Sequence, residues 1–265
     1  MKDEAIDADL RRVAHLLADA AGQAILPFFR SGTLVADNKL ERGFDPVTQA
    51  DRAAEQAMRS ILARERPQDG ILGEEFGTRE GTSGLTWVLD PIDGTRAFIA
   101  GAPTWGVLIA VSTADGPIYG IIDQPFIAER FEGGAGQART VGQQGERRLA
   151  TRAPRALSEA ILFTTFPEVG TSVDAAGFQA VASKVKLTRY GLDCYAYALV
   201  AAGQVDLVIE AGLAPYDIHA PIAVVTAAGG IVTDWRGNAA HEGGRVLVAA
   251  NAQIHAEALA ILRDF

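Results

Sequence analysis

The sequence lacks the features of a secreted or membrane protein. It contains one cysteine, Cys194, which cannot form an internal disulfide bond. Its first residues, MKDEAIDADLRR, hold no apolar core of the kind that a secretory signal requires. The longest apolar stretches, 105–111 and 220–228, are interrupted by glycine, threonine or proline and are far shorter than the roughly 20 residues that cross a bilayer. We therefore expect a cytoplasmic protein without a membrane segment.

Positive charge is also scarce along the chain. There are 24 Lys and Arg residues against 33 Asp and Glu, which gives a net charge of −9, and no basic block forms a stripe along a predicted helix. Proteins that bind nucleic acids need such a basic surface, so we expect no nucleic-acid partner. Hydrophobic residues make up 48% of the 265 residues, which is enough for a large core in one two-part domain or in two small domains.

The first half of the chain has the pattern of an α+β fold. Apolar residues at helical spacing predict a helix over about 4–28, and Thr48 with Asp51 predicts a capped second helix that ends before Pro67. Alternating apolar segments then predict strands, the last two of which are joined by an Asp-Gly hairpin turn. These predicted strands are 86–90, 105–113 and 117–125.

The second half, after the glycine-rich stretch 133–145, alternates between predicted strands and helices. The strands are 161–166, 205–211, 230–235 and 246–250. The helices are 173–184, 193–202 and 217–228, followed by a last helix at the C terminus. Such alternation is typical of an α/β layer. We divide the chain into an N-terminal α+β half, 1–145, and a C-terminal α/β half, 146–265.

Acidic residues cluster at the ends of predicted elements. Glu74 follows a short apolar strand, Asp90 and Asp93 flank a proline-fixed turn after strand 86–90, and Asp217 begins a predicted helix. The turn allows both of its carboxylates and the Ile92 carbonyl to point the same way. Singly, each acid is typical of a surface charge or a helix cap, but together they form a set of hard oxygen donors, which select Mg²⁺ or Mn²⁺ rather than zinc.

The residues directly after this turn favour an anion. Gly94 and Thr95 begin a short predicted helix in the segment TRAFI. Free backbone N–H groups at the start of a helix attract phosphate, and glycine allows close approach. An Asp-Gly-Thr turn alone is weak evidence for a phosphate site, since such turns commonly cap helices. Beside candidate metal ligands, it indicates that the bound anion is a phosphate.

Four segments carry a resemblance to a known family. They are DPVTQAD (45–51), GEE (73–75), WVLDPIDGT (87–95) and YDIHAPIAVVTAAGGIVTDWRG (216–237). Their residues, order and spacing resemble the inositol monophosphatase family of Mg²⁺-dependent, lithium-sensitive phosphatases, over nearly the whole chain. The resemblance implies the layered αβαβα sandwich of the sugar phosphatases, two or three Mg²⁺ ions per site, a small phosphate monoester as substrate and a homodimer.

The resemblance also assigns metal ligands. It implies that Glu74 is a bridging ligand, that Asp90 is shared between metals and that the Ile92 carbonyl is a ligand. Asp93 and Asp217 correspond to ligands of a second metal.

A second group of residues corresponds to the catalytic and phosphate-contacting positions of the family. Thr95, with Glu74, is implied to position the attacking water, and Asp93, Gly94 and Thr95 are implied to contact the substrate. Asp45 corresponds to an aspartate behind the threonine, and Lys39 to a nearby lysine. Glu75 is assigned no role.

Substrate choice is expected to depend on a later segment. The resemblance implies that Glu210, Gly191, Arg189 and Asp217 contact the substrate, with Arg189 reaching the phosphate or a partner subunit's site or forming a salt bridge. Asp193 stands where inositol-type members usually carry a small neutral residue. Two acids around a leaving group suit a cation, so the chain is most similar to the histidinol-phosphate phosphatase branch. Alternatively, Asp193 only caps the predicted helix 193–202.

The resulting prediction is a histidinol-phosphate phosphatase of histidine biosynthesis. One alternative is an inositol-1-monophosphatase or a broad sugar-phosphate phosphatase that uses the same site. A more distant alternative is a noncatalytic module that binds metal and phosphate, against which the intact set of site residues argues. That set is Glu74, Asp90, Asp93, Thr95 and Asp217.

Overall fold

A computed structural model describes residues 8–32, 36–38 and 46–265. Its helices are α1 (Ala8–Ile25), α2 (Gln49–Glu65), α3 (Thr95–Ala100), α4 (Ser172–Ala182), α5 (Tyr195–Ala201), α6 (Pro215–Ala227) and α7 (Ala252–Leu262). Its strands are β1 (Ala36–Asn38), β2 (Pro46–Thr48), β3 (Gly70–Gly73), β4 (Gly77–Arg79), β5 (Thr86–Asp93), β6 (Gly106–Thr113), β7 (Gly116–Gln124), β8 (Glu129–Gly134), β9 (Gln137–Gly142), β10 (Gly145–Arg148), β11 (Ile161–Thr164), β12 (Leu187–Tyr190), β13 (Leu207–Leu213), β14 (Ile231–Asp234) and β15 (Gly244–Ala249).

The first large sheet has eight strands in the order β10-β9-β8-β7-β6-β5-β3-β4. All neighbours are antiparallel except β3 and β5, which are parallel. Residues of β6 alternate between two cores: Ile109 packs with α1 and α2, whereas Leu108 and Ala110 face the opposite side. This period of two follows from the pleat of a strand, and it buries both faces of the sheet.

The second large sheet has five strands in the order β12-β11-β13-β15-β14. Strand β11 is parallel to β12 and β13, and the remaining pairs are antiparallel. Helices α5 and α6 lie between the two sheets, in a core that takes residues from both. Helices α4 and α7 cover the other face of the second sheet. The layers thus run helix, sheet, helix, sheet, helix, which confirms the predicted αβαβα sandwich.

Helix α6 lies unusually close to the first sheet. A Cβ atom on Gly133 of β8 would come within 2.6 Å of the Val224 Cα atom, and one on Gly120 of β7 would come within 2.7 Å of the Ala220 carbonyl oxygen. Glycine at these two positions therefore lets the helix backbone approach the sheet. This packing brings the N-terminal turn of α6 to the end of β5.

Of two predictions about how helices begin, one is confirmed and one is wrong. Helix α2 has Thr48 as its N-cap, with Asp51 completing the capping box. The predicted helix 193–202 instead begins at Tyr195, with Cys194 as an N-cap whose side chain makes no capping bond. Asp193 adopts a left-handed backbone conformation with φ of 47°, so it is not the side-chain cap of this helix.

The glycine-rich stretch after β7 contributes strands that the sequence pattern did not predict. Strands β8, β9 and β10 extend the first sheet to residue 148. Residues 4–7 of the predicted first helix lie outside the described part of the chain. Within the described part, every helix is too short or too polar to cross a membrane.

Candidate active site

The site forms around an irregularity at the end of β5. The pairing of β5 with β6 shifts between Asp90, which faces Leu108, and Asp93, which faces Gly106. An advance of three residues along β5 thus matches two residues along β6, as in a β-bulge. Pro91, within the bulge, has no N–H to donate to β6. The Ile92 N–H donates to Asp90 Oδ1 at 3.0 Å. The bulge therefore turns both carboxylates of the motif into one site.

Asp217 reaches the same site from the middle helical layer. It lies in the first turn of α6, where the Ala214 N–H donates to Asp217 Oδ2 at 2.7 Å. One oxygen from each of Asp90, Asp93 and Asp217 lies within 4.8 Å of the others. Asp90 is buried and the other two are partly exposed. The structure thus brings together three of the five predicted metal ligands in one cluster.

Burial and mutual repulsion both disfavour the charged forms of the acids in this cluster. Burial raises the pKa of Asp90 well above its ordinary value, and the charges of Glu74, Asp93 and Asp217 raise it further. Burial and the charges of Asp193 and Asp217 raise the pKa of Asp93 in the same way. A divalent cation would relieve this repulsion, because an opposite charge favours the ionised form.

Glu74 stands at the edge of the cluster, next to Asp90. Its N–H donates to the Leu89 carbonyl at 3.2 Å, so the turn after β3 is fastened to β5 beside Asp90. A hydrogen bond that protonated Asp90 donates to the Glu74 carboxylate contributes to the raised pKa of Asp90. Glu74 therefore lies where the prediction puts a ligand shared with Asp90.

Thr95 is held by a residue that the sequence reasoning did not place in the site. Its hydroxyl lies 3.1 Å from the Ile92 carbonyl oxygen and 3.4 Å from Asp51 Oδ1. Asp51 is buried, and its pKa is raised to about 6, mainly by burial and also by the charge of Glu74. Asp45 lies outside the described residues, as does Lys39.

The signal for Asp51 was present in the motif DPVTQAD, which contains two aspartates six residues apart. The second was interpreted only as part of a helix cap. In the structure Asp51 does both, because the Thr48 N–H donates to its Oδ2 while its Oδ1 faces Thr95.

Asp193 packs against the turn that follows the bulge. Gly94 has a φ of 86°, and a Cβ atom there would come within 2.7 Å of Asp193 Cγ. The Thr104 hydroxyl donates to Asp193 Oδ2 at 3.1 Å, and the Cys194 N–H donates to Asp93 Oδ2 at 2.6 Å. Burial raises the pKa of Asp193, although Thr104 opposes this shift. The predicted recognition residue therefore lies beside the predicted phosphate turn.

Glu210 lies on β13 and is only 8% exposed. It accepts hydrogen bonds from Thr164 Oγ1 at 3.0 Å, Thr165 N at 2.7 Å and Thr165 Oγ1 at 2.9 Å. Burial raises its pKa to about 7, and the charge of Asp193 contributes in the same direction. The charge of Asp193 is therefore felt at Glu210, across the site from the Gly94 turn.

The other two predicted substrate residues lie along the edge of the second sheet. The Gly191 N–H donates to the Thr164 carbonyl at 3.1 Å, next to the donors of Glu210. Arg189 is an exposed residue of the edge strand β12. Among the described residues, Arg189 has no salt-bridge partner, so its predicted contact with phosphate or a partner subunit stays a prediction.

Comparison with known proteins supports the resemblance. Residues 7–264 match the sequence profile of the inositol monophosphatase family. The chain is 42% identical to the bifunctional phosphatase IMPL2 of Arabidopsis thaliana, over 97% of this chain and 76% of that protein. It is 35% identical to the histidinol-phosphatase of Streptomyces coelicolor, over 96% of both chains. The solved structure of an inositol monophosphatase from Zymomonas mobilis is 40% identical, with a TM-score of 0.86 over 98% of this chain and 100% of that one.

Proposed function

Because the chain belongs to the inositol monophosphatase family, it is a metal-dependent phosphomonoesterase, and we propose that it hydrolyses L-histidinol phosphate to L-histidinol and phosphate. The observation that carries this proposal is the Asp193 carboxylate against the Gly94 turn, together with a second acid, Glu210, whose pKa is raised in part by the charge of Asp193. Histidinol carries an ammonium group and an imidazole, and each charge-assisted bond to a carboxylate is worth roughly 1.5 to 3 kcal/mol.

The hydrogen bonding of Glu210 supports a role in binding a cation. A carboxylate has about four acceptor positions, and three donors from Thr164 and Thr165 occupy three of them. One position is therefore left for a ligand, while the three bonds fix the orientation of the carboxylate. The similarity to a histidinol-phosphatase over nearly the full length of both chains is consistent with this substrate.

The donor set fits Mg²⁺, with Mn²⁺ as a second choice. Glu74, Asp90, Asp93 and Asp217 offer carboxylate oxygens, and Ile92 offers its carbonyl, whereas histidine and cysteine ligands are absent from this cluster of the described residues. Small hard cations prefer such oxygens. We propose that these residues hold two or three ions. When bound, the ions would neutralise the phosphate, activate the attacking water and stabilise the leaving oxygen.

The residues of the chain position the phosphate and the water. We propose that the backbone N–H groups of Gly94 and Thr95 donate to phosphate oxygens. The Thr95 hydroxyl has one proton and two nearby acceptors, the Ile92 carbonyl and Asp51 Oδ1. With the carbonyl committed to a metal ion, the hydroxyl would donate to Asp51 and its oxygen would accept a hydrogen bond from the attacking water. Glu74 would take the other water proton, and the leaving oxygen would take a proton from solvent. Orienting the water in line with the scissile bond lowers the entropic part of the barrier.

We further propose that the enzyme acts in histidine biosynthesis in the cytoplasm, as a homodimer. Histidinol carries a primary alcohol where histidine carries a carboxylate, so oxidation of this product gives histidine, which supports the pathway. Burial of the single cysteine, Cys194, is compatible with a reducing compartment.

The test is phosphate release from histidinol phosphate and from inositol-1-phosphate, each with Mg²⁺ and with a chelator. We expect kcat/KM to favour histidinol phosphate by at least about 100-fold, which corresponds to about 2.7 kcal/mol. The preference should be lost in Asp193→Ala, while Asp115→Ala, in the exposed turn between β6 and β7, serves as the matched control.

Two other outcomes would contradict the proposal. A preference for inositol-1-phosphate would place the chain with the polyol phosphatases, as its similarity to the Zymomonas mobilis structure allows. Release from neither substrate would favour the noncatalytic binding module. Full Mg²⁺-dependent turnover in Asp90→Asn or Asp217→Asn would refute the metal ligands.

A further inference from the structure

Glu55 is a buried carboxylate near the site that the proposed mechanism does not use. It lies four residues after Asp51 on α2, and residues at this spacing share one face of a helix. Both side chains are fully buried. Burying a charge is costly unless it is paired and hydrogen-bonded, so the partners of Glu55 indicate its role.

The partners of Glu55 lie in the turn that carries Glu74. Its Oε2 atom accepts from the Glu75 N–H at 2.7 Å, and its Oε1 atom accepts from the Phe76 N–H at 3.2 Å. Arg59 supplies the counter-charge, since its Nε lies 2.7 Å from Glu55 Oε1. Glu55 thus binds the two successive backbone N–H groups that follow Glu74.

Glu74 is therefore fixed from both sides. Its own N–H donates to the Leu89 carbonyl, one residue before Asp90. The next two N–H groups donate to Glu55. The peptide on either side of Glu74 cannot rotate without breaking one of these bonds, so two different elements, β5 and α2, set the direction of its Cα–Cβ bond.

Gly73 shows how closely the turn approaches the carboxylate. A Cβ atom at this position would come within 2.0 Å of Glu55 Oε1 and 2.9 Å of Arg59 Nη2. Real Cβ atoms do not make such contacts, so any side chain at Gly73 would displace Glu55 or the turn. The glycine that precedes Glu74 in the motif GEE thus makes room for the carboxylate.

We propose that Glu55 is a positioning residue that aims Glu74 at Asp90, and that it thereby sets the affinity of the site for divalent cations. The inference rests on the proposed role of Glu74. Glutamine at position 55 has one acceptor oxygen instead of two, and its NH₂ group cannot accept from a backbone N–H. Glu55→Gln therefore releases one of the two amides and loosens the turn.

The experiment measures Mg²⁺ binding to folded Glu55→Gln by calorimetry without substrate, and then kcat and KM at saturating Mg²⁺. Loss of a residue that orients a ligand typically weakens metal binding or activity about 10- to 100-fold. We expect Mg²⁺ binding and kcat to fall by this factor, with KM changed less than about twofold. Gly73→Ala, which displaces the same carboxylate, should give the same pattern, and it carries the test if Glu55→Gln does not fold.

Glu132→Gln is the matched control, because it also neutralises a buried carboxylate. Glu132 lies on β8 beneath α1 and accepts from Arg11, His15, Tyr119 and Arg139. Its replacement should lower the melting temperature without changing Mg²⁺ binding. Glu55→Gln would behave in the same way if Glu55 were merely structural, whereas a positioning Glu55 predicts weaker Mg²⁺ binding.

Two results separate this inference from the proposed function. Unchanged Mg²⁺ binding and kcat in folded Glu55→Gln, beside a disabled Glu74→Gln, would overturn the positioning role alone. Full Mg²⁺-dependent turnover in Glu74→Gln would overturn the proposed role of Glu74 itself.

Discussion

Ionisation of Glu210 opposes folding, and this provides a quantitative test of the recognition site. Burial raises the pKa of Glu210 from an ordinary value of 4.5 to about 7, although hydrogen bonds from Thr165 and Thr164 favour the charged form. The folded protein therefore binds this proton more tightly than the unfolded chain does. Stability consequently falls as the pH rises from about 4.5 to about 7. The difference between these pKa values corresponds to about 3 kcal/mol.

Replacement by glutamine removes this pH dependence. The amide of Glu210→Gln can accept from Thr165 and donate to the Thr164 hydroxyl, so the neighbouring groups keep their partners. We expect the stability of the variant, relative to the unmodified protein, to rise by about 2 to 3 kcal/mol between pH 5 and pH 8. The gain in stability should accompany the loss of preference for histidinol phosphate.

The assay is urea unfolding of both proteins at pH 5 and pH 8, with a chelator present so that metal binding does not contribute. The other acids of the site are common to both proteins, and their effects cancel in the comparison. A stability difference that does not change with pH would refute the reasoning that burial controls the ionisation of Glu210.

Three further variants test other parts of the structure. Glu132→Gln should lower stability by about 3 kcal/mol at pH 7. Burial raises the pKa of Glu132, but hydrogen bonds from His15 and Tyr119 outweigh burial and leave the pKa below 4.5. The loss of stability, measured by urea unfolding, should therefore shrink as the pH falls below 4.5. Asp51→Asn should lower kcat at least about 100-fold, with Mg²⁺ binding by calorimetry unchanged; equal loss of both would contradict its link to Thr95. Gly94→Ala should lower stability by about 1 to 3 kcal/mol in thermal unfolding, and an unchanged melting temperature would contradict the close contact at this turn.

Local chemistry made part of the metal cluster predictable from the sequence. Asp90 and Asp93 flank a proline turn, and the structure brings their carboxylates together with Asp217. The capping pair of α2 was also predictable, because Thr48 and Asp51 are three residues apart and bond directly. The Asp90–Asp93 pair and the Thr48–Asp51 cap both depend on residues close together in the chain, whereas Asp217 lies 124 residues after Asp93 and was assigned by resemblance.

Interactions between distant segments were not predictable in this way. The layered arrangement came from resemblance, since no local pattern states which sheet faces which helix. Strands β8 to β10 were missed because the glycines that let α6 approach, such as Gly133, weaken the strand pattern. The position of Asp51 beside Thr95 was missed because 44 residues separate them.

The hydrogen bond from the Cys194 N–H to Asp93 orients Asp93 through the main chain of the segment whose side chain, at Asp193, is proposed to recognise the substrate. The donor is a main-chain group, which every residue except proline supplies, so the support for the metal-ligand candidate does not depend on which side chains occupy this loop. An exchange of the Asp193 side chain would therefore keep this hydrogen bond, while it would remove the charge that raises the pKa of Asp93. The side chain proposed to recognise the substrate and the main-chain group that orients a candidate metal ligand thus belong to adjacent residues, and they can be changed separately.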